Sequence, residues 1–106
     1  MVSTRIAKKI DYFEYKSLIE RYKNKIEINP HAYFRLNQSQ RKVYKDDYLI
    51  SILKEEQPSL IGIQQNGRYA AFFRRKEGYL RIIFQIKKNN NIEIITFFIT
   101  DNLPNI

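Results

Sequence analysis

Four apolar runs in the second half of the chain, punctuated by three short groups of turn-forming residues, constrain the fold more than any other feature. Leu60–Gln65 and Arg68–Arg75 flank Asn66-Gly67. That dipeptide is the strongest short-range signal for a two-residue hairpin loop, because both residues tolerate positive φ. Arg68–Arg75 and Tyr79–Lys87 flank Lys76-Glu77-Gly78, which suits a three-residue loop with glycine in the left-handed position. Asn89-Asn90-Asn91 joins Tyr79–Lys87 to Ile92–Ile99, and asparagine accepts positive φ better than other non-glycine residues. The pattern predicts a four-stranded antiparallel β meander over residues 60–99.

The first half reads as helices. Asp11 followed by Glu14 resembles a capping box, and Tyr15, Leu18, Ile19 and Tyr22 form one apolar face at helical spacing. The spacing predicts a helix over 12–24. Lys25-Ile26-Glu27-Ile28 alternates charge and isoleucine, as a short strand does. Asn29-Pro30 has the form of a cap followed by proline at the first helical position, opening a short helix over 30–37. Asn37 to Lys42 reads as a polar connection. A third helix over 46–56 starts with Asp46 or Asp47 as cap and is ended by Pro58. The expected fold class is α+β, a single domain over 1–106 with N-terminal helices packed on one face of the meander.

Those turn lengths fix which side chains share a face. A two-residue first loop and a three-residue second loop put Ile61, Ile63, Ala70, Phe72, Leu80, Ile82, Phe84 and Ile86 under the helices. The opposite face then carries Tyr69, Phe73, Arg75, Tyr79, Arg81, Gln85 and Lys87, at once basic and aromatic. Arg74 and Arg75 are neighbours on a strand, so one points away from the other.

Charge gives that face its meaning. Nineteen Lys and Arg against eleven Asp and Glu leave a formal charge of +8 on 106 residues. A surplus of that size on so small a domain points to a polyanionic partner. Arginine and lysine for phosphates, interleaved with tyrosine for unpaired bases, suit single-stranded RNA better than a duplex. A solvated antiparallel face has a similar composition. No apolar run approaches the roughly 20 residues of a membrane span. The start, Met1–Lys9, is basic without an apolar stretch behind it and does not read as a secretory signal. The expected compartment is the cytoplasm.

His31, the single histidine, and Arg35 fall on one helix face. In the first turn of a helix the dipole favours the neutral imidazole, which can take a proton while the guanidinium holds a phosphate. A lone histidine beside proline is more often simply a capping or packing residue. Arg41 and Lys42, with Lys45, read as a phosphate clamp or as a solvated loop, and Arg68 belongs with them. No cofactor and no metal are expected. Without cysteine there is no thiolate site. Asp46-Asp47 reads as a cap, and a metal nuclease built on Glu77, Gln85 and Lys87 lacks its second carboxylate.

The stretch Ile26-Glu27-Ile28-Asn29-Pro30-His31-Ala32-Tyr33-Phe34-Arg35-Leu36 through Arg41, followed by the Ile92-Glu93-Ile94-Ile95-Thr96-Phe97 strand, resembles a family of small proteins. Their pattern is a His-Ala-x-x-Arg opening, a later Arg, a helix, and a meander ending in an Ile-x-x-Thr-type strand. That family is similar to the BrnT and RelE/ParE-like toxins of bacterial and archaeal toxin–antitoxin pairs, and the likeness covers residues 26–100. It implies a metal-independent endoribonuclease acting by attack of the ribose 2′-hydroxyl, on RNA that is free or ribosome-bound, with an acidic antitoxin as partner. His31, Arg35, Arg41 and Thr96 fall on the family pattern; Arg81 and Lys87 join the catalytic set from the face assignment. The tail Thr100–Ile106 lacks the Tyr or His that RelE-like enzymes often place there. A non-catalytic RNA- or DNA-binding module, or a ParE-like toxin against a protein target, are the alternatives.

Overall fold

The computed structural model describes residues 5–34 and 36–104. The chain runs β1 (Ile6–Lys9), α1 (Tyr12–Tyr22), β2 (Ile26–Ile28), a 3-10 helix (Pro30–Tyr33), α2 (Gln38–Val43), α3 (Asp46–Glu55), β3 (Leu60–Gln64), β4 (Tyr69–Arg75), β5 (Gly78–Ile86) and β6 (Ile92–Thr100). The class is α+β. The sheet is not the four-stranded antiparallel meander that the turn residues suggest. Among the described residues it has six strands in the order β1-β3-β4-β5-β6-β2 and is mixed. β1 pairs antiparallel with β3, and β2 pairs parallel with β6. Both edge strands come from the N-terminal third, so hairpin signals could not reveal them. No helix among the described residues is long and apolar enough to cross a membrane.

The two hairpin loops exchange the lengths that their sequences suggest. β3 and β4 close at Gln64 and Arg68, where the Gln64 amide donates to the Arg68 carbonyl at 2.7 Å and the Gly67 amide to the Gln64 carbonyl at 2.9 Å. That leaves three loop residues, with Gly67 at φ +85°, the left-handed position such a loop requires. Arg75 instead sits opposite Gly78, so the second loop is the two residues Lys76 and Glu77. Each one-residue difference reverses a strand's facing. Ala71, Phe73, Tyr69 and Arg75 of β4 therefore point to the helices, while Ala70, Phe72 and Arg74 point away. The alternation of β4 gave no check, since Ala70 to Phe73 are all buried.

The main core lies between sheet and helices. Rows such as Ile61–Ala71–Ile82–Phe97 run across the strands beneath Tyr15, Ile19, Leu49, Ile52 and Leu53. Burial of these side chains, each worth about 1.5–3 kcal/mol, holds the helices down. Asp11 caps α1 by accepting from the Glu14 amide at 2.8 Å, and the Tyr15 hydroxyl donates to the Leu53 carbonyl at 2.9 Å. That bond satisfies one of the last-turn acceptors of α3, which its own helix cannot reach. A bulge between Ile83 and Phe84 in the β5–β6 ladder gives β6 one extra residue, so Ile94 and Phe97 both face the core. Asn90, in the loop before β6, adopts φ +64° as its sequence suggests.

Two helical expectations change. The helix expected over 30–37 is a four-residue 3-10 helix, and the polar stretch after it is a helix. Asn37 accepts from the Gln40 amide at 2.8 Å, and the Gln40 side chain accepts from the Asn37 amide at 3.2 Å. This Asn-x-x-Gln pair is a reciprocal cap that the sequence carries openly. Lys45, not Asp46 or Asp47, is the cap residue of α3; the two aspartates occupy its first turn, where a negative charge is favourable.

Candidate nucleic-acid interface

The face of the sheet away from the helices is less open than a binding platform. Leu60, Ala70, Phe72 and Ile83 form a second small cluster there, with Ile6, Tyr79, Ile95, Phe98 and Leu103 packed against it. Arg81 sits at its centre, opposite Phe72 on one side and Phe98 on the other. Its guanidinium carbon lies 5.0 Å from the Phe72 ring centre and 5.7 Å from that of Phe98. It donates to Gln64 Oε1 at 2.7 Å and is only 6% exposed. A guanidinium clamped between two rings makes a cation–π arrangement, and here it is part of the packing.

The other predicted residues are divided by the sheet. Arg75 is on the helix side, where it donates from both terminal nitrogens to the Glu56 carboxylate at 2.9 and 3.0 Å. Tyr69 is also on the helix side, stacked on Phe84 with ring centres 5.2 Å apart. Tyr79 faces the far side and lies under Arg74, whose guanidinium carbon is 5.1 Å from the ring centre. Lys87 follows β5 and bonds Glu27 of the edge strand β2 at 2.8 Å. That bond raises the Lys87 ammonium above its ordinary value. Arg68 is half-buried beside the first hairpin loop. His31 is exposed on the 3-10 helix, which packs against β6 from the core side. His31 and Arg81 thus lie on opposite faces of the sheet. Arg35 lies outside the described residues. The 3-10 helix ends at Tyr33, which leaves the dipole argument for His31 without a helix to act through.

What the structure does bring together is the corner made by the 3-10 helix, α2 and the start of α3. Tyr33, Arg41, Lys45, Asp46 and Asp47 line a cleft of about 400 Å³ there. The Tyr33 hydroxyl donates to Asp46 Oδ1 across the cleft. Burial, and then that bond, pushes the hydroxyl well above the ordinary tyrosine range, so at neutral pH Tyr33 is a donor. Within two residues of this lining in the sequence, large side chains stand in water: Phe34 is 71% exposed, Val43 57% and Tyr48 38%. The Phe34 ring meets the His31 ring edge to face at 4.8 Å. Arg41, Lys42 and Lys45, in the same stretch of chain, are exposed too.

Tyr33, Phe34, Val43, Lys45 and Tyr48 did not emerge as one site from the sequence. The signal was the capping box at Asn37, which turns Arg41 and Lys42 from loop residues into one helix end beside two aromatics. Compared with protein-family models, curated proteins and solved structures, the chain matches none.

Proposed function

We propose that this chain binds single-stranded RNA at the corner of the 3-10 helix, α2 and α3. The supporting observation is the mixture exposed on these elements: Phe34, Val43 and Tyr48 in water, Arg41, Lys42 and Lys45 exposed close to them in sequence, and a cleft lined by Tyr33, Arg41 and Lys45. Exposed rings cost free energy unless something covers them. Unpaired bases are flat enough to stack on such rings while their phosphates meet the neighbouring cations. A duplex keeps its base faces hidden and suits this surface less well. The charge of +8 favours the same partner.

Fluorescence anisotropy with a labelled single strand, repeated over a range of salt, tests the reading. Phe34→Ala should lose about 1–3 kcal/mol of binding. Lys42→Ala should lower the salt slope by about 0.7, one phosphate contact on a single strand. Salt-independent binding, or binding that both variants leave intact, refutes it.

A toxin-like, metal-independent ribonuclease is the second reading, favoured by the exposed imidazole of His31 two residues from Tyr33 at the cleft. In that chemistry the imidazole takes the proton of a ribose 2′-hydroxyl, and the oxygen attacks the adjacent phosphorus. The 5′-oxygen leaves and takes a proton from water, and Arg41 and Lys45 hold the phosphate charge. Products ending in cyclic phosphate, formed in chelator and lost in His31→Ala, would establish it. Binding without product leaves the first reading. An acidic protein that covers this corner, and a cytoplasmic location, belong to the same proposal.

A further inference from the structure

The 3-10 helix that carries His31 and Tyr33, with Phe34 at its end, is tied to the sheet at its start by Asn29. Its amide donates to the Ile94 carbonyl at 2.9 Å, and its carbonyl accepts from the Ala32 amide at 2.9 Å. Its side-chain oxygen accepts from the His31 amide at 2.9 Å. Its side-chain nitrogen donates to Glu93 Oε2 at 3.3 Å, and Glu93 Oε1 accepts from Gln85 Nε2 at 3.0 Å. Asn29 therefore ties the backbone of this helix to a polar row formed by Gln85 and Glu93 on neighbouring strands.

Capping alone does not require asparagine. Serine or aspartate supplies the oxygen that the His31 amide needs. Asparagine adds a separate donor atom with the reach for Glu93: the shorter serine side chain has one oxygen for both tasks, and aspartate would set a carboxylate against a carboxylate. Nor is the bond needed to hold the segment down. Ala32 is fully buried, and Tyr33 lies edge-on against Phe97 at 5.4 Å. The Tyr33 hydroxyl, bonded to Asp46, fixes the far end of the segment; Asn29 fixes the end that carries the exposed His31 ring, against which Phe34 packs edge to face.

We infer that Asn29 and Glu93 are positioning residues for the RNA interface, orienting the His31–Phe34 ring pair toward the bases while Arg41, Lys42 and Lys45 hold phosphate. The inference rests on the RNA-binding reading. It predicts a division of labour: disturbing Asn29 or Glu93 weakens recognition of bases and leaves the phosphate contribution intact.

The experiment compares binding of a single-stranded RNA of roughly twelve nucleotides with binding of an abasic ribose-phosphate chain of equal length, on the full chain. Asn29→Ser keeps the cap and loses the Glu93 bond. It should reduce RNA affinity about fivefold, the effect of one hydrogen bond, with the salt slope and abasic affinity unchanged. Glu93→Ala should behave alike from a different strand. Glu93→Gln should stay near wild type, because the Gln85 amide can turn to accept from it. Equal losses on RNA and the abasic chain would mean a structural role only and overturn the inference, as would wild-type RNA affinity in folded Asn29→Ser and Glu93→Ala. A wild-type protein that does not distinguish the two chains overturns the RNA reading and the inference with it, whatever the variants do.

Discussion

Gly67 lies in the first hairpin loop and Gly78 directly after the second, and replacing each with alanine separates the observed register from the one the sequence suggests. Gly67 has φ +85° with nothing within 4 Å of where a Cβ would be. Gly67→Ala should therefore cost only the backbone penalty, about 1–2 kcal/mol. Gly78 has φ +144°, and a Cβ there would lie 2.4 Å from the Thr100 carbonyl oxygen and 3.3 Å from Asp101 Cα. Both neighbours are backbone of β6 and the turn after it, so no side chain can swing clear. The dihedral penalty of about 1–3 kcal/mol adds to about 1–3 kcal/mol for forcing strands apart. Gly78→Ala should thus cost about 2–6 kcal/mol, a large part of the roughly 5–15 kcal/mol that holds a domain together. Urea unfolding followed by tyrosine fluorescence measures both variants; the chain has eight Tyr and no Trp. The expected result is a midpoint well below that of Gly67→Ala with similar slopes, and a melting temperature lower still by about 4–8 °C for each kcal/mol of difference. If Lys76, Glu77 and Gly78 formed a three-residue loop, Gly78 would stand clear of β6 and the two substitutions would cost alike. Equal midpoints at equal slopes would refute the two-residue loop and the face assignment built on it.

Tyr15→Phe removes the donor to the Leu53 carbonyl and should lower stability by about 1–2 kcal/mol in the same denaturant titration; no loss would mean that water reaches that carbonyl. Arg81→Ala empties the space between Phe72 and Phe98 and should destabilise by about 2–4 kcal/mol. Because that guanidinium is buried, the salt slope of RNA binding should not move, and a fall would show that it meets phosphate. Lys87 should titrate above the ordinary lysine value of 10.5 because of its bond to Glu27. A raised folded value means that the ion pair's contribution is fully present below 10.5 and is lost as pH rises through the folded value. A side-chain NMR titration reads this directly, and Glu27→Gln should return Lys87 to the ordinary range.

Much of the fold was legible because it is written in local chemistry. Asp11 and the Tyr15, Leu18, Ile19, Tyr22 stripe placed α1, the alternation at Ile26 and Ile28 placed β2, and the turn residues placed four strands nearly to their ends. The capping box at Asn37 was equally local and marks α2 once the Asn-x-x-Gln spacing is read. The net charge of +8 needs no fold to favour a polyanion, since it is a property of composition alone. Three decisions belonged to the tertiary structure. The Asn66-Gly67 pair fits both a two- and a three-residue loop, and with Ala70 to Phe73 apolar throughout, only packing against the helices chose the facing of β4. The addition of β1 and β2 to opposite edges rests on backbone hydrogen bonds between segments far apart in the chain, which leave no periodic trace. The candidate site followed from both. The sheet separated Arg81 from His31, and the corner that gathers Tyr33, Arg41, Lys45, Asp46 and Asp47 exists only because the 3-10 helix, α2 and α3 meet there. Sequence decides which charges and rings a chain carries; which of them stand in water together is set by the packing that buries the rest.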